Sequence, residues 1–514
     1  MALACVVVNM FRYIAGLILF LSALRLPAER INKEGRILGM LPVVTNAILF
    51  NTSDADAVVS AQQIFPVTNP WNEGISNRPV LANSDAMIAQ IMANLSSNHR
   101  SLVTEFEMNY VLVPDNQPLV PIYFFNYPDE SDLNGGVYPY GLYPIPTNQP
   151  IETWPVGAGG QTLAQWQTND DGSDRHAIIV QPGNGLIYET WESTLVGTNW
   201  QASNGAMFNL NTNGLRTPGY TSGDAAGFPM FPALVRYDEA ERGMVEHACR
   251  LVVAKSRAEY IYPATHHTGT NLNANLPAMG QRLRLKAAFA IPSGWSKEEK
   301  AVLLGLKKYG AMVADNGSVF SISVTPDDRW PANCFNDLTS ISITNFEVIQ
   351  TTGTNEGPRS AGAPVANAGP DQTVPVGQPV QLQGVVIFSN LPPVINWKMY
   401  FGPGTVTFGN AALTNTTALF SAPGTYTLEL SADDGVHAVA YDAVVITVTN
   451  RIQVFLTPAG TNVNLSWTGG TPPYVVQWTG TLPAAAWSDL VTTGANSTNL
   501  PITNLTGFFR VKGQ

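Results

Sequence analysis

The residues best suited to chemistry lie within 174–193, Asp-Arg-His-Ala-Ile-Ile-Val-Gln-Pro-Gly-Asn-Gly-Leu-Ile-Tyr-Glu-Thr-Trp-Glu-Ser. Two runs of β-branched and aromatic residues flank Pro182-Gly183-Asn184-Gly185, which reads as a β-hairpin closed by a two-residue turn at Gly183-Asn184. That register sets His176 opposite Trp191 and Ile178 opposite Glu189. Paired residues point to one side, so His176, Glu189 and Trp191 share a face, while Arg175 and Glu192 pair on the other beside Ile179 and Tyr188. His176 and Glu189 become diagonal neighbours, about 7–8 Å apart at the backbone. An acid and a base at that spacing beside an indole ring suit proton transfer on a bound sugar. The same side chains suit a divalent metal, with His266 as a third ligand. The alternative is a hairpin whose charged end is only solvated, since clustered ionisable groups mark sites only statistically.

Glycoside hydrolysis requires two carboxyl groups about 5–9.5 Å apart. Glu189 is the first candidate. Asp174 falls opposite Ser193, about 13 Å along the strand from the level of Glu189, so a partner has to arrive from a loop, with Asp224 and Asp315 leading. Elimination from a uronate polymer instead requires cations and a proton acceptor. Arg282 and Arg284, on one face of the alternating run 281–289, would supply the cations, and His176 or Tyr188 the acceptor, although Tyr188 lies on the hairpin's other face. Tyr138, Tyr140, Tyr143 and Trp154, spaced among prolines and glycines, offer rings on which a sugar stacks, or else cover their own core. His247 alternates with Val245, Cys249 and Leu251 and reads as core-facing.

These residues need a β-rich scaffold. A helix is expected from Ser84, its cap, with Met87, Ile88, Ile91 and Leu95 as the apolar stripe. A second opens with the capping box Ser296 to Glu299, buries Val302, Leu303, Leu306 and Tyr309, and stops at Gly310. Residues 311–320 read as strand, turn, strand, with Asp315 and Asn316 at a hairpin tip, and the long loop 216–232 is placed to carry Asp224. Short scattered strands without βαβ alternation predict a mainly β chain. Residues 60–350 would form a jelly-roll-like or related sandwich with two short helices.

At 514 residues the chain is long enough for about three domains. Charged residues are only 13%, and a net charge of −11 argues against nucleic acid or an anionic membrane surface as partner. Residues 1–28 read as a signal peptide, with no membrane anchor left after cleavage. Cys5 would leave with it, so Cys249 and Cys334 are available for one disulfide outside the cell. No nucleophile elbow, zinc-protease helix, phosphate loop or dinucleotide fingerprint occurs, and no cofactor is required.

After a linker at 351–364, the stretch Ala366-Asn-Ala-Gly-Pro-Asp-Gln-Thr-Val-Pro-Val-Gly, then Ser421-Ala-Pro-Gly-Thr-Tyr-Thr-Leu-Glu-Leu-Ser-Ala-Asp-Asp-Gly, resembles a PKD domain over 365–449. The resemblance implies an immunoglobulin-like sandwich of extracellular proteins. The family's Trp-Asp-Phe-Gly-Asp-Gly centre is replaced here by Trp397-Lys-Met-Tyr-Phe-Gly-Pro-Gly. Residues 451–514 give four short strands and resemble small C-terminal β-modules of secreted bacterial enzymes. Asn69-Pro-Trp-Asn, Asp174-Arg-His, Leu234-Val-Arg-Tyr-Asp-Glu, Arg282-Leu-Arg-Leu-Lys and Ala314-Asp-Asn-Gly resemble a group of secreted bacterial proteins; the resemblance implies the domain's boundaries and export and assigns no catalytic residue. The expectation is a secreted, extracellular or cell-surface enzyme degrading an extracellular polysaccharide, a glycoside hydrolase first and a polysaccharide lyase second. A non-catalytic carbohydrate-binding or adhesion protein is the competing class.

Overall fold

The computed structural model describes residues 30–513 apart from 352, 354–361, 390, 471, 481–485 and 502–506. The expected signal peptide and most of the expected linker lie outside the described residues. The chain is mainly β, in several sheets with short helices between them.

The central hairpin forms as expected in its ladder. Ala177–Gln181 pairs antiparallel with Leu186–Trp191, and Ile178 faces Glu189. The turn is wider than expected, spanning 182–185, with Gly185 at φ 65°. Asp115 pins it by accepting from the Asn184 backbone N–H at 3.0 Å. The hairpin is the centre of a five-stranded sheet ordered Asn204–Asn209, Leu186–Trp191, Ala177–Gln181, Val111–Leu112 and Ile48–Leu49.

That sheet is a middle layer. Ile178, Val180, Ile187 and Ala206 enter the large core shared with a six-stranded sheet, while Ala177, Ile179 and Tyr188 join a second core with a four-stranded sheet. The six-stranded sheet runs Phe346–Val348, Arg282–Leu285, Ala311–Asn316, Cys249–Val253, Phe320–Val324 and Leu102–Phe106. The four-stranded sheet runs Thr194–Val196, Asn199–Ala202, Val120–Phe124 and Tyr140–Tyr143. A strand covered on both faces has no solvent side, so its sequence is apolar throughout and not alternating. Each of these three sheets contains a parallel pair. A jelly roll pairs its strands antiparallel; the expected mainly β region is here a stack of sheets packed face to face with mixed strand directions.

Both expected helices are present, Ser84–Ala93 and Lys297–Lys308, and three more are found at Ser53–Ala61, Leu163–Thr168 and Tyr237–Arg242. The capping box of Ser296 and Glu299 is formed. Ser84 is instead the first helical residue, behind Asn83, and its hydroxyl accepts from the Val348 N–H. The expected hairpin at Asp315 is corrected: Ala311–Asn316 and Phe320–Val324 do not pair, because Cys249–Val253 lies between them, parallel to one and antiparallel to the other. Cys249 and Cys334 are free thiols, both buried, so the disulfide is not formed.

Farther along, Gln372–Pro375, Ala440–Thr449, Gly424–Asp433 and Val394–Phe401 form one sheet of a sandwich, and Val380–Gln383, Asn415–Phe420 and Val406–Phe408 the other. Trp397 fills the core between them. Tyr426 donates to the carbonyl of Ala422 at 2.8 Å, a tyrosine corner of the kind found in immunoglobulin-like domains. Beyond 451 the described residues give six strands, where four were expected, in two three-stranded sheets.

Candidate active site

At the open end of the central hairpin the ladder breaks. Arg175 and Glu192 adopt φ of 47° and 53°, a left-handed conformation that costs non-glycine residues about 1–3 kcal/mol each. The kinked end brings Asp174 Oδ1 to 3.1 Å from the indole N–H of Trp191. Arg175 does not pair with Glu192; it is buried and donates to the carbonyls of Ser193 and Trp166.

Asp174 and Trp191 line a cavity of about 410 Å³ together with Tyr127, Glu130, His176, His266, Asp315 and the loop Thr221-Ser222-Gly223. Five of the side chains singled out in the sequence therefore meet: Asp174, His176, Trp191, His266 and Asp315. The strand end at Asp315 supplies one wall, the hairpin end another. The Trp191 ring is faced by Tyr127, with centroids 6.1 Å apart and planes 30° apart. His266 Nδ1 lies 2.8 Å from the carbonyl oxygen of Ala225. A carbonyl only accepts, so Nδ1 carries the hydrogen and Nε2 is the ring nitrogen able to take up a proton.

The floor beneath this cavity is a sealed charge network. His176 stands between two acceptors, with Nδ1 2.9 Å from Glu152 Oε2 and Nε2 2.8 Å from the carbonyl of Gly223. Both nitrogens must donate, which defines an imidazolium. Burial opposes that charge, but the field of Glu152 and its hydrogen bond outweigh burial and lift the His176 pKa to about 9. Burial likewise works against the charge on Glu152, yet His176 holds its carboxyl below the usual value. Gly223 permits the approach: a Cβ there would come 2.6 Å from Met230 and 3.3 Å from the His176 ring.

Glu189 is fully buried and accepts from the backbone N–H groups of Met230 and Phe231, all at 2.9 Å. Burial pushes its pKa up to about 7, against the pull of those two N–H groups. It closes the start of the short turn Phe231–Ala233 and does not line the cavity. Asp224 is buried too and lies 3.3 Å from Arg250, whose guanidinium also reaches Asp315 at 2.8 Å and Glu107 at 3.7 Å. Burial raises Asp224 and Glu107 each to about 7, with Arg250 opposing. Three carboxylates around one guanidinium leave the network short of positive charge, and only Asp315 of the three lines the cavity.

Other expected positions are corrected. Arg282 and Arg284 do not form a basic face: both are buried, and they donate to the carbonyls of Tyr309, Pro70, Glu73, Ile75, Ser76 and Arg78. Tyr143 has no exposure and donates to the carbonyl of Asp132 within the second core. Trp154 is half-buried against both cores. Tyr138 and Tyr140 are exposed but stand outside the cavity lining. The metal set His176, Glu189 and His266 is not assembled, because both nitrogens of His176 are engaged and Glu189 is sealed. Among the described residues no group of three or more His, Cys, Asp or Glu is placed to hold a metal ion. Glu130, Tyr127, Glu152 and Arg250 carried no local signal in the sequence; their neighbours in space are distant in the chain.

A second cavity of about 410 Å³ lies between Lys33, Arg78 and Lys308 on one side and 433–441 on the other. Most of its ionic groups are already engaged, Lys308 with Glu34, Arg78 with Glu73, His437 with Asp434 and Lys33 with the amide oxygen of Asn72. It offers no converging carboxylates.

Comparison with known proteins identifies one part of the chain. The family model of the PKD domain matches residues 361–448, and this segment is a PKD domain. No curated protein sequence matches the chain. Among solved structures, the PKD domain from KIAA 1837 protein is 22% identical over 19% of this chain and 91% of that one, with a TM-score of 0.15. Domains A168–A170 of titin are 18% identical over 29% and 59%, with a TM-score of 0.17. Insect hemolin is 13% identical over 39% and 50%, with a TM-score of 0.18. PKD domains are typical of extracellular proteins and fit carbohydrate-binding or adhesion roles. Among the described residues, no helix is long and apolar enough to cross a membrane.

Proposed function

We propose that the protein is a secreted enzyme that hydrolyses glycosidic bonds of an extracellular polysaccharide in the cavity between the hairpin end and Asp315. The observation that carries this reading is the convergence of Asp315, Asp174, Glu130 and His266 beside the facing rings of Tyr127 and Trp191. Hydrolysis uses two carboxyl groups on either side of the bond, and the rings would hold a sugar by its apolar face. Asp315 is the first carboxylate. Its oxygens are oriented by two donors, Arg250 at 2.8 Å and the Asn316 N–H at 2.7 Å. Asp174 is the second, fixed by Trp191. His266 Nε2 is positioned to accept or return a proton.

Glu189 leaves this assignment, and its role passes to Asp315. The lyase reading loses its cationic wall, since Arg282 and Arg284 face backbone carbonyls in the interior. The PKD domain would serve as a spacer or a surface contact for the same polymer. The test is incubation of the purified protein with neutral and uronate-bearing polysaccharides, following reducing ends and the absorbance of unsaturated products. Reducing ends without that absorbance, abolished by Asp315→Asn, support hydrolysis. Unsaturated products would establish elimination, and retention without either signal would establish a binding protein.

A further inference from the structure

The four-stranded sheet has one face in the second core and one face open. Ile122, Phe124, Trp200 and Ala202 point inward. By the two-residue period of a strand, Tyr123 and Phe125 point outward. Tyr140 is directly opposite Tyr123, and Gln201 is opposite it on the other side, with Thr194 next to Gln201. The outer face therefore carries a row, Thr194, Gln201, Tyr123, Tyr140, in which hydroxyl and amide groups adjoin aromatic rings. Tyr123 and Tyr140 lie with centroids 5.3 Å apart. Phe125, Tyr127, Tyr138 and Tyr140 are 41%, 43%, 57% and 48% exposed. Aromatic residues bury large apolar areas whenever the fold allows it, so four such rings together on one surface signal a partner.

The row is continuous with the cavity. From Tyr123 the chain leaves the strand after Phe124 and bends through Phe125 to Tyr127, at most about 13 Å away, and Tyr127 forms the cavity wall with Trp191. We infer that this outer face is an extended binding track for a neutral polysaccharide, leading the chain over Tyr140, Tyr123 and Phe125 into the cavity. The occupant follows from three features. Flat rings beside Gln201 and Thr194 match a ligand with apolar faces and hydroxyl edges, whereas a protein interface would centre on a closed apolar core. The track residues include no lysine or arginine, and carboxylates flank its inner end, Glu130 and Asp174 in the cavity lining and Glu192 beside Asn126, which repel a polyuronate. The track also ends at the carboxylates that would cut the bound chain, so this inference rests on the hydrolase reading for its direction.

The experiment is affinity electrophoresis of the full chain in gels containing hydroxyethylcellulose, galactomannan, xylan or polygalacturonate, comparing wild type with the triple variant Tyr123→Ala/Phe125→Ala/Tyr140→Ala and with Asp315→Asn. The expected result is retardation of wild type by at least one neutral polymer and none by polygalacturonate, with retention weakened about tenfold or more in the triple variant. Circular dichroism and thermal melting establish that the triple variant is folded; should it not be, the single variants Phe125→Ala and Tyr140→Ala are read in its place. Unchanged retention in the variants, preference for polygalacturonate, or no retention of wild type by any neutral polymer would overturn the track. Asp315→Asn separates the two readings: normal retention without loss of any turnover refutes the catalytic assignment while leaving the track intact.

Discussion

Asp174 and Glu189 stand on the same hairpin, a few residues apart in space, and meet opposite environments. Asp174 is exposed at the cavity wall with one hydrogen bond from an indole; Glu189 is fully buried and accepts from two backbone N–H groups. The same contrast runs through the whole site. Wall residues Asp174, Asp315 and His266 are reachable by a ligand, whereas Glu189 and Asp224 are enclosed by the protein itself and His176, though it borders the cavity, has both ring nitrogens engaged. Residue type suggests chemistry, but unspent hydrogen-bonding capacity facing a cavity is what permits it.

The largest effect is expected from removing the guanidinium that joins wall and floor. Arg250→Met leaves Asp224, Asp315 and Glu107 without their shared cation, at a cost of roughly 3–5 kcal/mol, and it should abolish turnover as well. Asp224 and Glu107, already raised to about 7 by burial, protonate more readily in the folded variant than in the unfolded chain, where the usual values near 4 apply. The loss is therefore greatest above pH 7 and shrinks as pH falls toward 4. Arg282→Met, whose partners are chiefly carbonyls, should destabilise with little dependence on pH. Urea unfolding of both variants at pH 5 and pH 8 checks this, and equal pH dependence would erase the distinction between the two arginines.

A crossed pair sharpens wall against floor. Asp315→Asn should lower turnover about 10²–10³-fold while the melting temperature stays within a few degrees. Glu189→Gln should cost about 1–3 kcal/mol of stability, because an amide nitrogen meets a backbone donor, with turnover retained in the fraction that folds. The reverse pattern would return catalysis to the hairpin interior.

His176 reports on the floor alone. Its folded pKa of about 9 lies above the unfolded value of about 6.5. Its contribution is therefore fully present below pH 6.5 and is lost as pH rises through 9, about 3 kcal/mol in all. Thermal melts of wild type should decline across that window, and His176→Gln should flatten it. A variant that keeps the decline would assign it to another group.

The contrast also shows what the sequence could and could not convey. The hairpin ladder follows from β-branched runs around Pro-Gly-Asn-Gly, and the helix at Lys297 from Ser296 and Glu299 within one turn; both are local. Which side of the hairpin meets water is not local, because the partners that cover Glu189 and His176 come from Met230, Gly223 and Glu152. Arg282 and Arg284 alternate as on a solvent-facing strand, yet carbonyls of 70–78 receive them. Asp315 was legible as a strand end beside Asn316 and Gly317. Its pairing was not, since Cys249–Val253 enters between two strands that are neighbours in sequence.

The smallest effect expected lies at the wall itself. Trp191→Phe keeps an aromatic ring opposite Tyr127 but removes the N–H that holds Asp174. A neutral donor to a carboxylate at this exposed position contributes about 0.5–1.5 kcal/mol, so the rate should fall about three- to tenfold, with binding of the polymer nearly unchanged. Trp191→Ala removes the ring too and should weaken binding as well as rate. If both variants lose binding equally, the indole N–H acts on the ligand directly, and Asp174 is then held in place by the kinked backbone at Arg175 and Glu192 alone.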